Sequence, residues 1–386
     1  MSSENQSKSE ALDALKRAFD VLLNAPAYTD PAESFRAIMA GILPAKEEAP
    51  VTHEQWEQIY EVTKNIRLLE LWKCLHDSER ITLLPPGRDE PVYPVVMGNG
   101  EMVYGIGIYP GYDSLRRLLE MMESPLREDD MSVGLAQNCI NLYFGNREEL
   151  DPQDRKIIKS LGLKFRGRNE WPYFRSMKPG FVPWYINSEE ADLVIAALQN
   201  FVMAARCYGR GDVQVDFEDG ETLLRFCGDK DDVWYNTAVI MPPAPFVVPK
   251  YVMTDDALLA QLKKEKKTDA KLGLGLTYLP GPVQENKNER PRVPQMAMMI
   301  ELNSGIIVDC SVDDGGESIG ATMMDSLTRY ITKYGRPASI VVPDDGTADC
   351  VSDFAEKLGV ELTEDEKLSA IIKKFMGRMT GRSGFN

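Results

Sequence analysis

Between positions 161 and 184 the sequence LGLKFRGRNEWPYFRSMKPGFVPW sets Lys164, Arg166, Arg168, Arg175 and Lys178 among Phe165, Trp171, Tyr173, Phe174, Phe181 and Trp184. Guanidinium groups beside large rings dominate protein interfaces, and on an open basic face the same pairing stacks single-stranded nucleic acid. Arg166, Arg168, Trp171, Phe174, Arg175 and Trp184 are therefore the candidate binding residues. Pro172, Pro179 and Pro183, with three glycines, exclude a long helix or a central strand, because proline lacks a donor and extends its predecessor. The expectation is a structured loop, and two readings of it stay open: a plug between domains, or an exposed binding surface.

Other reactive side chains are few. His53 and His76 are the only imidazoles, which removes most zinc-hydrolase and Ser-His-Asp arrangements. Six cysteines lie far apart without a Cys-x-x-Cys pair and read as buried free thiols rather than disulfides or zinc ligands. No cofactor motif is present and none is expected. A formal charge of -16 opposes nucleic acid and anionic lipid, so the expected partner is another protein. No window nears the ~18 apolar residues of a membrane span, and the polar start MSSENQSKSE shows no secretion signal, so the expected address is the cytoplasm. Oligomeric state is not legible.

The elements that must position these residues follow from periodicity and turn chemistry. Amphipathic spacing over 11–23 and again near 31–43 predicts a helical appendage with its linker, 1–48. An α+β domain spans 49–270. Thr52 and Gln55 form a capping box for a helix running to Leu75. Runs 91–97 and 102–109 flank GNG as a tight hairpin, giving ββαβ with the helix after Asp113 and the strand 139–144. Asn187 and Glu190 cap a further helix, and 213–217, 222–227 and 233–241 read as a β-meander. A helix is expected over 255–267. The C-terminal domain, 271–386, runs βββαβαβ, an order that makes a mixed sheet. The whole is an α/β and α+β multidomain chain.

The WPYFRSMKPGFVPW run, the YPVVMGNGEMVYGIGIYPG hairpin and the tail GRPASIVVPDDGTADCVSDFAEKLGVEL together resemble an uncharacterised bacterial family of paired domains of unknown function. That resemblance implies architecture and no mechanism. PASIVVPDDGTADCVSDFAEKLGVEL also resembles, locally, the ribonuclease-H-like core of integrases, whose chemistry needs several carboxylates converging on two metal ions. Glu301, Asp309 and Asp345 are the acids that such a centre would draw on, yet the first strand, 272–278, carries none. Asp344 or Asp345 is equally a cap for the helix near Thr347. The function expected is a non-catalytic cytoplasmic protein-binding or regulatory role. The alternative is a nucleic-acid-acting protein with a degenerate metal-dependent nuclease domain.

Overall fold

The computed structural model describes residues 49–88, 90–123, 134–227, 233–240, 252–279, 281–284, 289–312 and 319–379, so the appendage expected over 1–48 lies outside the described residues. These divide into two compact units, one within 46–246 and one within 247–386.

The first unit is a seven-stranded sheet in the order β5-β4-β3-β2-β1-β6-β7. Its strands are β1 (Ile81–Leu84), β2 (Val92–Met97), β3 (Tyr104–Pro110), β4 (Cys139–Gly145), β5 (Trp171–Met177), β6 (Glu221–Cys227) and β7 (Trp234–Ile240). Every pairing is antiparallel except β1 with β6. Helices α1 (His53–Leu69) and α4 (Ser188–Gly209) cover one face, where Ile59, Ile66, Val194, Leu198 and Phe201 meet Leu83, Ile106 and Leu142. Helix α2 (Gly111–Glu123) lays Leu115 and Leu118 on Tyr93, Val95 and Tyr109 of the other face, and α3 (Pro152–Ser160) leads into the aromatic stretch. Both capping boxes are present. Gln55 N–H donates to Thr52 Oγ1 at 3.2 Å, and Glu190 N–H donates to Asn187 Oδ1 at 2.8 Å.

Four local expectations are corrected. The helix expected to reach Leu75 stops at Leu69, because Glu70 turns left-handed at φ 46° and a 3₁₀ turn, Leu71–Lys73, follows. GNG is no two-residue turn: positive φ falls at Gly98 and Glu101 rather than Asn99. Asn99 instead spends its side chain on the 72–77 segment, donating to the Trp72 and Leu75 carbonyls at 3.0 and 3.1 Å and accepting from Asp77 N–H at 3.1 Å. Residues 213–217 form no strand, and Val213 and Val215 pack against the main core from a loop, so the meander reduces to the β6–β7 hairpin. Trp171–Met177, expected as loop, is strand β5. It lies at the sheet edge, where Pro172 is tolerated because its missing donor faces no partner strand.

The second unit holds α5 (Asp256–Leu262), β8 (Lys271–Tyr278), β9 (Gln295–Glu301), β10 (Ile306–Val312), α6 (Ile319–Tyr334), β11 (Ser339–Val342), α7 (Asp345–Leu358), β12 (Glu361–Glu364) and α8 (Lys367–Met379). The sheet runs β10-β9-β8-β11-β12, antiparallel from β10 to β8 and parallel from β8 to β12. The expected βββαβαβ order is therefore present, with a final helix added. Helix α5 buries Leu259 and Leu262 in the same core as Met253, Leu272, Leu327 and Phe354, which places these residues in this unit rather than in the domain expected over 49–270. On β8, Leu272 and Leu274 face that core while Gly273 and Gly275 face α8. A Cβ on Gly273 would stand 2.9 Å from Leu368 Cδ1, and one on Gly275 would overlap Ile372, so glycine there is what admits the helix.

Candidate functional site: a charged cleft beside the aromatic strand

Strand β5 alternates half-buried Trp171, Tyr173 and Arg175 with buried Pro172, Phe174 and Ser176. Phe174 meets Trp56 and Tyr60 of α1 at centroid distances of 6.1 and 6.3 Å, and Phe165 bridges Tyr60 and Trp171 at 6.2 and 6.0 Å. Trp184 lies half-buried against Tyr185, and its main chain exchanges hydrogen bonds of 2.7 and 3.0 Å with Ser176. The rings of this stretch are thus packing elements inside the first unit.

Arg175 is equally committed. Its Nη1 and Nη2 donate to the two carboxylate oxygens of Asp154 at 3.0 and 2.7 Å, and Nη2 also reaches Asp151 at 2.8 Å. The guanidinium lies 5.0 Å from the Tyr173 ring centroid and 5.1 Å from that of Tyr185. Burial pulls the Arg175 pKa down, but the hydrogen bond and charge of Asp154 outweigh it and hold the pKa above its ordinary value. Burial, reinforced by Asp151, pushes Tyr185 up to about 12. Arg175 is thus a structural cation, with both terminal nitrogens engaged inside the unit.

Arg166 and Arg168 differ: both are exposed, and neither has an ion-pair partner among the described residues. Arg168 and Asn169 form one wall of a cleft of about 380 Å³. The end of α1 and the turn after it supply Arg67, Glu70, Trp72, Lys73 and His76, and the β2–β3 loop supplies Gly98, Asn99 and Glu101, with Tyr104 at the start of β3. Arg67 donates through Nε to Glu170 at 3.1 Å and again through Nη2, while Nη1 reaches Glu70 at 3.4 Å. Its guanidinium also covers the Trp72 ring, 5.5 Å from the centroid. Lys73 pairs with Glu70 at 2.6 Å. That lysine, through its hydrogen bond, is the first cause holding the Glu70 carboxyl below its usual range.

The backbone around the cleft is unusual. Among the described residues, the non-glycine positions with positive φ are Glu70 at 46°, Glu101 at 58° and Asn169 at 55°, and all three line it. Such conformations cost free energy, persist where surrounding structure imposes them, and cluster at ligand sites. Arg168 was legible in the sequence as a candidate. Arg67, Glu70, Lys73 and Glu101 were not, because the first three fit the solvated face of a helix and the last fits a turn.

The acids considered for a metal centre do not converge, and no group of three His, Cys, Asp or Glu among the described residues is arranged to hold a metal. Glu301 accepts from the Asn303 and Ser304 N–H groups at 3.1 and 2.8 Å and closes the β9–β10 turn. Asp309 pairs with Arg329 at 2.6 Å. Asp344, rather than Asp345, caps α7 by accepting from Thr347 N–H at 2.7 Å, and Asp345 is the first helical residue. On β8 the face bearing Gly273 and Gly275 is covered by Leu368 and Ile372.

Two family descriptions match the chain: Domain of unknown function (DUF7309) over residues 56–225, and Domain of unknown function (DUF6930) over 258–379. Among curated proteins none matches. A solved structure, the cryoEM structure of simian T-cell lymphotropic virus intasome in complex with PP2A regulatory subunit B56 gamma, aligns at 14% identity with a TM-score of 0.22. The alignment covers 28% of this chain and 37% of that chain, so this chain spans little more than a third of that one, and the overlap carries no assignment.

Proposed function

For a chain that is a tandem of two domains of unknown function, we propose a non-catalytic role: it binds another protein through the corner of its first unit that carries Arg166, Arg168 and the cleft. The observation that supports this reading is Arg168, an exposed guanidinium without a partner among the described residues, at the edge of a cleft whose other cations, Arg67 and Lys73, are already paired. Arginine at such a position is the side chain most effective in recognising a carboxylate, because its fork meets two oxygens at once. The aromatic half of the stretch serves by holding that corner rigid. Met102, at 89 % exposed, and Leu68, at 81 %, belong to the same two elements that build the cleft and offer apolar contact to a partner.

Three of the thiols are held back from covalent chemistry by burial. Burial pushes Cys139 and Cys310 up to about 12 and Cys350 to about 11, which keeps these groups protonated. All six cysteines are free, which supports a reducing compartment as the setting of this role, but only Cys139, Cys207 and Cys310 are buried as expected, and Cys74 is exposed. Among the described residues no helix is long and apolar enough to cross a membrane. The test is co-purification of the full chain under native conditions beside the Arg166→Glu/Arg168→Glu variant. A stoichiometric companion protein held by the wild type and lost by the variant is expected. A companion retained equally by both would move the interface elsewhere.

A further inference from the structure

We infer that the cleft recognises a mixed-charge peptide segment, one that brings an acidic side chain to Arg168 and a basic side chain to Glu101. This rests on the protein-binding reading above and names its ligand. Charge bookkeeping inside the cleft decides the class. Arg67, Lys73 and Arg168 stand against Glu70 and Glu101, with Glu170 behind Arg67 and His76 counted as neutral, so the lining is close to neutral. A near-neutral lining in a chain of charge -16 does not hold a polyphosphate or a nucleic-acid strand. The Trp72 ring, moreover, already has the Arg67 guanidinium over it and is 8 % exposed, so it is no platform for a base.

What remains uncommitted is specific. Glu70 joins Arg67 and Lys73, and Glu170 closes on Arg67, which leaves Arg168 and Glu101 as opposite charges on two walls with no ion pair to each other or to any described residue. Left-handed backbone at Glu101 and at Asn169, the neighbour of Arg168, fixes both walls. The Tyr104 hydroxyl and the Asn169 side-chain amide are also without hydrogen-bond partners among the described residues, and such groups satisfy peptide N–H and C=O. A ligand carrying both charges satisfies both walls. One carrying a single charge leaves the other wall unmatched, and specificity arises from that difference.

The experiment titrates the full chain, labelled with ¹⁵N at its tryptophan indoles and with ¹³C at its tyrosine rings, with the capped peptide acetyl-Glu-Gly-Gly-Lys-amide. Glu→Gln and Lys→Gln peptides are the controls. The mixed-charge peptide is expected to shift Trp72 and Tyr104 and to bind about threefold more tightly than either control, which is one exposed ion pair's worth of discrimination. Arg168→Gln should abolish the advantage of the peptide glutamate, and Glu101→Gln that of the lysine. Both positions are exposed, so neither change threatens the fold, and unaltered spectra away from the cleft verify this. Equal binding of the Lys→Gln peptide, with loss in Arg168→Gln, would overturn the mixed-charge ligand while leaving an acid-reading surface in place. No shift at Trp72 or Tyr104 with any peptide would also overturn it, and the co-purification test then judges the surface separately.

Discussion

Arg175 shows how a residue picked out for binding can be spent on the fold. Its side chain is 12 % exposed and that of its bidentate partner Asp154 is 6 % exposed, so removing the cation strands a buried carboxylate. Arg175→Met is expected to lower unfolding stability by about 3–5 kcal/mol, and Arg175→Met/Asp154→Leu to recover most of it, as measured by urea denaturation. An unchanged midpoint in the single variant would contradict the pairing. At the start of α7, Asp344→Ala should cost about 1 kcal/mol by loss of the cap, whereas Asp345→Ala should cost little. Nearby, Asp345 first, then burial and a hydrogen bond with Asp345, raise the Glu364 carboxyl above its usual 4.5. A raised carboxyl holds its proton more tightly in the folded state than in the unfolded one. The folded state is therefore favoured at acid pH and loses that advantage as pH climbs from about the usual value through the raised one. Glu364→Gln should accordingly raise the melting temperature at pH 7.5, do nothing below the usual carboxylate range, and lose its effect in high salt. A gain that grows toward acid pH would show the sign to be wrong.

Strand β5 explains why part of the architecture was readable and part was not. Capping boxes, the β9–β10 turn at Gly305 and the βββαβαβ order all rest on local chemistry, which a sequence displays directly. The segment 171–177 carries the proline that argues against a strand, and only its place at the edge, set by the long-range pairing of Trp171 with Gly145 through Met177 with Cys139, makes the strand tolerable. The same holds for the cleft. Arg168 could be singled out from its neighbours in the chain, but the anchoring of Asn99 to the Trp72 and Leu75 carbonyls, more than 20 residues away, is what makes the segment after α1 into a wall. Glycines 273 and 275 read as weak strand positions until α8 is seen to lie on them.

The chain as a whole is acidic and bipartite, and its second unit closes its own sheet and cores. A fragment spanning 247–386 is therefore expected to unfold in a single cooperative transition, while one starting at 271 should be destabilised by loss of Met253, Leu259 and Leu262 from the core. Equal stability of the two fragments would return α5 to the first unit. On the reading proposed above, this acidic chain meets its partner at the corner where exposed Arg166 and Arg168 border the cleft. Site-resolved photo-crosslinking in cells tests this most directly, with benzoylphenylalanine placed at exposed Met102 beside the cleft and at exposed Ile306 in the second unit as a control. A discrete adduct at position 102, absent at 306 and lost when Arg168→Glu is added, is the predicted result. Equal labelling at the two positions, or an adduct at 102 indifferent to Arg168→Glu, would contradict it.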